Sequence, residues 1–322
     1  MNRFVLIDGN AMLHRAYHAM PDLTSPEGEP VNAVYGFFAM FLNIISEQKP
    51  HYMAVAFDRS KPTIRQTMYA GYHAHRPKME DGLFSQIAKV DECLYALGTP
   101  TFAMDGYEGD DLIGTLATKI QSREFRERNL GEDDIVDTVI VTGDRDMLQL
   151  VNEHTYVWMP IQGLTKTKLY DSKAVEEKYG VRPEQFIDYK ALIGDPSDGY
   201  PGVTGIGPKT ASNLLQEYGT FENLYQSIEK LPEKVGLKLA TDAEQAALAK
   251  KLATIITDAP FTPDFSKTET DKFNFAGLRD CFVKFNFKSL VARIESRNPE
   301  LKEIAVKKQK KKVSEGQTEL EI

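Results

Sequence analysis

Tyr107-Glu108-Gly109-Asp110-Asp111 runs without a break into the apolar-periodic stretch Leu112 to Ile120. Leu112, Ile113, Leu116, Ala117 and Ile120 recur at helical spacing, which predicts a helix with one buried face. Glu108 and Asp111 are three apart and share a face once the chain is helical. A capped, dipole-matched helix start would account for one or two of these acids. It accounts poorly for three, because crowded like charges repel unless a cation neutralises them.

Outward from this stretch the theme repeats. Phe4-Val5-Leu6-Ile7 ends in Asp8, Ala54-Val55-Ala56-Phe57 in Asp58, and Val139-Ile140-Val141 leads to Thr142-Gly143-Asp144-Arg145-Asp146. The loop Gly194-Asp195-Pro196-Ser197-Asp198 adds two more acids. Any one of them alone is more simply a turn residue. Acids recurring at the C-terminal ends of buried strands are another matter, since open α/β sheets build their sites there. The joint pattern points to a shared site for a hard cation.

The chain has 322 residues, 42% hydrophobic and 27% charged, as an ordinary globular protein of one or two domains does. No apolar run is long enough to span a membrane, and the first strand leaves no room for a cleavable signal peptide. Cys93 and Cys281 form no metal-like cluster, which suits a reducing, cytoplasmic setting. The net charge of −8 argues superficially against nucleic acid. With the nine clustered acids set aside, 39 basic residues face 38 acidic ones, so a DNA partner is not excluded.

Residues 1–180 alternate strand and helix patterns, the signature of a mainly parallel sheet with helices on both faces. Ala33 to Glu47 and Leu83 to Leu97 are expected helices, and Thr99 to Phe102 a short strand. Gln121 to Asp137 reads as a solvated helix end and loop. Thr155 to Met159 and Lys166 to Tyr170 read as two edge strands. Asp171-Ser172 opens a helix that stops at Gly180. Between them, residues 59–81 hold Lys61, Arg65, Tyr69, Tyr72, His73, His75, Arg76 and Lys78. Length alone makes this a surface loop; its composition suits the gathering of single-stranded nucleic acid. Pro183 to Ile193 is expected to be helical. In Pro201-Gly202-Val203-Thr204-Gly205-Ile206-Gly207-Pro208-Lys209-Thr210-Ala211 the glycines frame a tight turn between helices. It is either a plain helix connection or a seat for a backbone phosphate. Thr241 to Thr257 reads as one Ala/Leu-rich helix, and Phe273 to Ile294 as a helical pair. Residues 297–322 read as a disordered Lys-rich tail.

These residues together resemble the 5′-nuclease domain of bacterial DNA polymerase I, and more widely the flap endonuclease and 5′-3′ exonuclease superfamily. The resemblance covers about residues 3–295. Leu6 to Asn10 with His14 to Ala19 is similar to the family's first strand and helix. Ala56-Phe57-Asp58, Glu108 to Asp111, Thr142 to Asp146 and Gly194 to Asp198 match its metal-binding acids, and Tyr72 to Arg76 falls at its helical arch. Gly205 to Lys209 is similar to its helix-three-turn-helix, which grips duplex DNA and often holds a potassium ion on backbone carbonyls.

The resemblance implies a PIN-like nuclease core over 1–180, with an arch over 59–81, and a helical DNA-binding subdomain over 181–296. It implies two Mg²⁺ ions, with Mn²⁺ as a substitute, about 4 Å apart. Asp8, Asp58, Glu108 and Asp110 would surround the first ion. Asp111, Asp144, Asp146, Asp195 and Asp198 would serve the second. Arg76, His73 and Tyr72 would act at the scissile phosphate. Lys61 and Arg65 would draw in the 5′ strand, while Gly205, Gly207, Lys209 and Thr210 would hold the duplex. The expected activity is 5′-3′ exonuclease and 5′-flap cleavage of branched DNA in replication or repair, such as primer or flap removal, by a monomer. With no polymerase region following, either a free-standing nuclease or a cut-down piece of a longer protein is expected. Gln317 to Ile322 loosely resembles a peptide that binds sliding clamps. Two departures stand out. His73 occupies a position where the family usually has lysine, and Gly199-Tyr200 replaces Asn-Ile. The rival readings are an inactive branched-DNA binding protein and an RNA-cleaving PIN-type ribonuclease.

Overall fold

The computed structural model describes residues 2–76, 78–129, 135–164 and 166–301. Its organising strand is β1 (Asn2–Asp8), in which Phe4 and Leu6 turn to one core while Val5 and Ile7 turn to the other. A strand buried on both faces requires helices above and below it. The chain continues through α1 (Gly9–Ala19), α2 (Asn32–Gln48), β2 (Tyr52–Ala56), α3 (Ile64–Met68), α4 (Asp81–Leu97) and β3 (Thr101–Phe102). Then come α5 (Gly109–Gln121), α6 (Arg123–Asn129), β4 (Val136–Val141), β5 (Thr155–Gln162) and β6 (Lys166–Tyr170). The six strands lie in the order β3-β2-β1-β4-β5-β6, parallel except for β6.

From β1 the sheet grows outward through β2 to β3, then resumes at β4 on the other side of β1. That reversal places a topological switch point at the C-terminal ends of β1 and β4, where such sheets open a crevice. A second part follows in α7 (Ser172–Tyr179), α8 (Phe186–Ile193), the small hairpin of β7 (Gly194–Asp195) and β8 (Tyr200–Pro201), and α9 (Pro208–Tyr218). The remaining helices are α10 (Phe221–Gln226), α11 (Glu233–Thr241), α12 (Ala243–Ala253), α13 (Phe275–Lys284) and α14 (Lys288–Arg297).

Several elements depart from the sequence expectation. β5 is not an edge strand, because it pairs with β4 on one side and β6 on the other. The stretch Thr241 to Thr257 is not one helix. The chain breaks at Asp242, whose carboxylate accepts the Thr204 amide at 2.7 Å, and α12 ends at Ala253. The excursion after Gln121 contains a further helix, α6. Helices α13 and α14 belong to the core rather than to a separate helical subdomain. Leu278, Phe282, Leu290 and Ile294 are buried with Val90, Leu94 and Phe38 on the α2–α4 face of the sheet. Order also runs past residue 296, since Leu301 is buried in the same cluster. The remainder of the Lys-rich tail and the stretch Gln317 to Ile322 lie outside the described residues.

Candidate metal centre

Asp8 ends β1 and caps α1. Its Oδ1 accepts the Ala11 amide at 2.9 Å, and its Oδ2 accepts the Thr142 hydroxyl at 2.7 Å. Thr142 directly follows β4, so this bond ties the two strands together at the switch point. The Thr142 oxygen also accepts the Asp144 amide at 2.9 Å, and Asp144 Oδ1 accepts the Asp146 amide at 2.7 Å. Asp58 is reached from the next strand: Asn10 Oδ1 accepts its amide at 2.9 Å, and its own Oδ1 accepts the Gly109 amide at 2.7 Å. Three strand ends and the start of α5 thereby bring Asp8, Asp58, Asp110 and Asp144 around one crevice.

Burial and mutual repulsion govern these acids. Burial, with the charges of Asp58 and Asp144, raises Asp8 to about 7 against its local hydrogen bonds. Burial and the neighbouring charges of Asp144, Asp8 and Asp58 hold Asp110 well above the usual carboxylate range. Asp144 is raised chiefly by burial, with the Asp198 charge adding to it. Burial and Asp144 carry Asp146 up to about 8 despite an ammonium beside it. Such shifts mark carboxylates gathered without enough positive charge.

Asp146, Asp195 and Asp198 each present an oxygen, and the three oxygens lie within 4.8 Å of one another. No trio this close forms among Asp8, Asp58, Glu108 and Asp110. A buried lysine that sequence reasoning missed sits beside the trio. Lys190, in α8, lies 2.6 Å from Asp146 Oδ1 and also pairs with Asp195. Burial opposes its charge, yet the two carboxylates hold its ammonium above the usual range. Its signal was a lone basic residue inside the apolar helix Phe186-Ile187-Asp188-Tyr189-Lys190-Ala191-Leu192-Ile193, five residues ahead of Asp195. Tyr200 stands close by, 2% exposed, and its hydroxyl finds no partner among the described residues. A buried polar atom beside converging carboxylates is what a bound ion with its waters would satisfy. An all-oxygen donor set of this kind fits a hard divalent cation.

The root of the arch rests on the same loop. His73 Nε2 lies 3.1 Å from Asp198 Oδ1, Arg76 donates to that oxygen at 2.8 Å, and the His73 amide donates to the Asp198 carbonyl at 2.8 Å. His73 has φ +58°, an uncommon conformation for a non-glycine residue, and its ring stacks on Tyr72. The Tyr72 hydroxyl donates to Glu108 Oε2 at 3.1 Å. The departure Gly199-Tyr200 is explained here. Gly199 has φ +82°, and a Cβ there would come within 2.6 Å of the Gly71 carbonyl oxygen. Tyr200 packs with Tyr72, Ala249, Leu252 and Ala253 in a small cluster of its own.

Two sequence expectations need correction. Asp111 does not face the cation crevice, and Arg65 does not face solvent or DNA. The Arg65 guanidinium grips both Asp111 oxygens at 2.8 Å and donates to the carbonyls of Leu252 and Thr254. Asp111 further accepts the Glu108 and Ile256 amides, which leaves it no capacity for an ion. Glu108 is partly engaged as well, by Thr63, Arg65 and Tyr72. Lys61 remains exposed, paired with Asp105 at 2.6 Å.

On the far side of the hairpin, Gly205, Gly207 and Lys209 are exposed, and Pro208 is the first residue of α9. Thr210 is half-buried in its first turn. First-turn amides have no partner within their helix, so this end is a ready anion seat. Gly205 (φ +75°) carries no side chain to obstruct it.

Two family descriptions match the chain in succession: the 5′-3′ exonuclease N-terminal resolvase-like domain over residues 3–180, and the 5′-3′ exonuclease C-terminal SAM fold over 181–276. DNA polymerase I of Caldicellulosiruptor bescii is 40% identical over 294 residues, covering 91% of this chain and 33% of that protein. The Bacillus subtilis DNA polymerase I is 36% identical, covering 91% and 32%. The chain thus spans about a third of the length of these relatives. Among solved structures, the T5 D15 protein co-crystallised with metal ions has a TM-score of 0.63 at 18% identity, covering 93% of this chain and 99% of that one. The catalytic core of Rad2 in complex with DNA substrate has a TM-score of 0.55 at 15% identity, covering 93% and 92%. At these identities the structures establish a common fold. The two matched families, laid end to end over most of the chain, establish more: this chain belongs to the 5′-3′ exonuclease family.

Proposed function

We propose that the chain is a metal-dependent, structure-specific 5′ nuclease that hydrolyses DNA phosphodiesters, as a 5′-3′ exonuclease and a 5′-flap endonuclease. The observation that carries this reading is the meeting of Asp146, Asp195 and Asp198 within 4.8 Å, with His73 and Arg76 on the same Asp198 carboxylate. Asp8, Asp58, Asp110 and Asp144, with the partly engaged Glu108, would hold one Mg²⁺. Asp146, Asp195 and Asp198 would hold the other. When bound, the ions supply charge stabilisation at the scissile phosphate and activation of the attacking water.

The chain's own residues do the rest. Tyr72, fixed to Glu108, anchors the arch root over the crevice. Arg76, with half its side chain exposed, can exchange Asp198 for a backbone phosphate, and His73 lies beside it. Exposed Lys61 marks the approach of the single strand. The turn from Gly205 to Thr210, with Lys209, holds the duplex through its phosphates and reads no bases. The substrate is branched or flapped duplex DNA with a single-stranded 5′ end, and the corresponding work is flap or primer removal in replication or repair. The complexes of Rad2 with DNA substrate and of T5 D15 with DNA and metal ions support this choice.

The test is incubation with an end-labelled 5′-flap duplex in Mg²⁺ and in EDTA. Cleavage at the junction in Mg²⁺ alone is expected. Binding without cleavage would move the chain to an inactive branched-DNA binder, and preference for an RNA strand to a ribonuclease.

A further inference from the structure

The turn ahead of α9 already carries a cation. Lys238 reaches from α11 and donates its ammonium to the Gly205 carbonyl at 2.9 Å. Glycine permits the approach, since a Cβ at position 205 would lie 2.6 Å from the Lys238 nitrogen. The neighbouring carbonyls are occupied too: Gly202 accepts the Gln245 side-chain amide, and Val203 accepts the Ile206 amide at 3.0 Å. Asp242 closes the arrangement by accepting the Thr204 amide at 2.7 Å. A bound potassium ion needs several carbonyl oxygens free and converging. Gly202 and Val203 each keep a second lone pair beside their one donor, but the Lys238 ammonium stands at the Gly205 oxygen, where it keeps out the potassium ion implied by the resemblance.

We propose that the Lys238 ammonium is the resident cation of the turn, so that this chain holds a duplex phosphate there without drawing a monovalent ion from solution. An ammonium and a potassium ion carry the same charge and both favour carbonyl oxygen. The lysine offers three protons, of which Gly205 takes one. Lys238 is exposed, as are Gly205 and Gly207, so its two remaining donors are open to a phosphate oxygen at the first turn of α9.

The inference rests on the DNA-binding reading for one of two readouts, and the other needs no DNA. Thermal unfolding and duplex binding (in Ca²⁺, to prevent cutting) are measured in potassium, sodium and N-methylglucamine chloride at equal ionic strength. The proteins are the natural chain, Lys238→Met and Lys238→Gln. The natural chain should have one Tm and one Kd across the three salts. Both variants should bind duplex about tenfold more weakly in N-methylglucamine, and their salt slope should fall by about 1. Potassium should restore their Tm and binding selectively, by entering the vacated carbonyl site. A potassium-selective gain in the natural chain would overturn the proposal. So would variants that match it in every salt, or a glutamine variant that matches it while the methionine variant does not. If no protein binds duplex, the DNA reading fails, and the Tm comparison still decides the role of Lys238.

Discussion

Arg65 and Asp111 meet as a bidentate pair, two nitrogen–oxygen contacts of 2.8 Å, with both side chains almost wholly buried. The pair joins the segment after β2 to the start of α5, and through Leu252 and Thr254 to the end of α12. Removing one partner strands a buried charge, so Asp111→Ala should cost about 3–5 kcal/mol in urea unfolding. Calorimetric metal affinity, read at a temperature where the variant is folded, should stay near that of the natural chain. A stable variant with weakened metal binding would return Asp111 to the cation site.

Asp144 behaves in the opposite way. It stands among Asp110, Asp146 and Asp198; its carboxylate accepts the Asp146 amide, and its own amide donates to the Thr142 hydroxyl oxygen. Asp144→Asn removes a repulsive charge, so the Tm in EDTA should equal or exceed that of the natural chain. Flap cleavage in Mg²⁺ should fall by several orders of magnitude while flap binding in Ca²⁺ persists. Retained cleavage would remove Asp144 from the machinery.

The metal-free chain should lose stability as pH rises. Asp8 at about 7 and Asp146 at about 8 in the folded state stand above the ordinary value of 3.8 that the unfolded chain adopts. The folded state therefore binds these protons more tightly, and their contribution is complete below the unfolded value and lost as pH climbs through the folded values. In EDTA the Tm should decline between about pH 5 and about pH 8, and saturating Mg²⁺ should remove the decline. A Tm in EDTA that is flat or rising over that window would contradict the charge crowding described here.

Gly199 gives a test of the arch root. Its φ of +82° and the 2.6 Å approach of a Cβ to the Gly71 oxygen leave no room for a side chain. Gly199→Ala should destabilise by about 1–3 kcal/mol and loosen the contact between His73 and Asp198. The expected signature is a raised KM for flap substrate together with a lowered kcat. Unchanged kinetics at lowered Tm would confine the effect to folding.

The parallel core was legible because β1, β2 and β4 are short apolar runs that end in acids, a pattern few other folds produce. Local chemistry also showed: Asp171 caps α7, accepting the Ala174 amide at 2.7 Å, and Gly180 ends it at φ +71°. What stayed hidden depended on partners distant in sequence. Nothing near Arg65 indicates that it will be buried against Asp111, because its partners Glu108, Asp111, Leu252 and Thr254 lie 43 to 189 residues away along the chain. Composition gave it to DNA; packing gave it to the core. Lys190 was overlooked because it sits in an apolar helix and its partners come from another element and the loop beyond. The break at Asp242 was invisible because Ala and Leu favour helix on both sides of it. At the break, the Asp242 carboxylate accepts the amide of Thr204, a partner 38 residues away.

The carboxylates are drawn from both sides of the junction at residues 180 and 181: Asp8 to Asp146 on one, Asp195 and Asp198 on the other. As the polypeptide leaves the ribosome at roughly 5–20 residues per second, the first half of the crevice waits roughly 3–10 seconds for the second. Under the proposed function, a nascent chain would leave nearby DNA uncut until its loop at Asp195 has emerged and docked. By the same logic, the two halves made as separate polypeptides should each be inert and recover cutting only when they reassemble, as a split enzyme does.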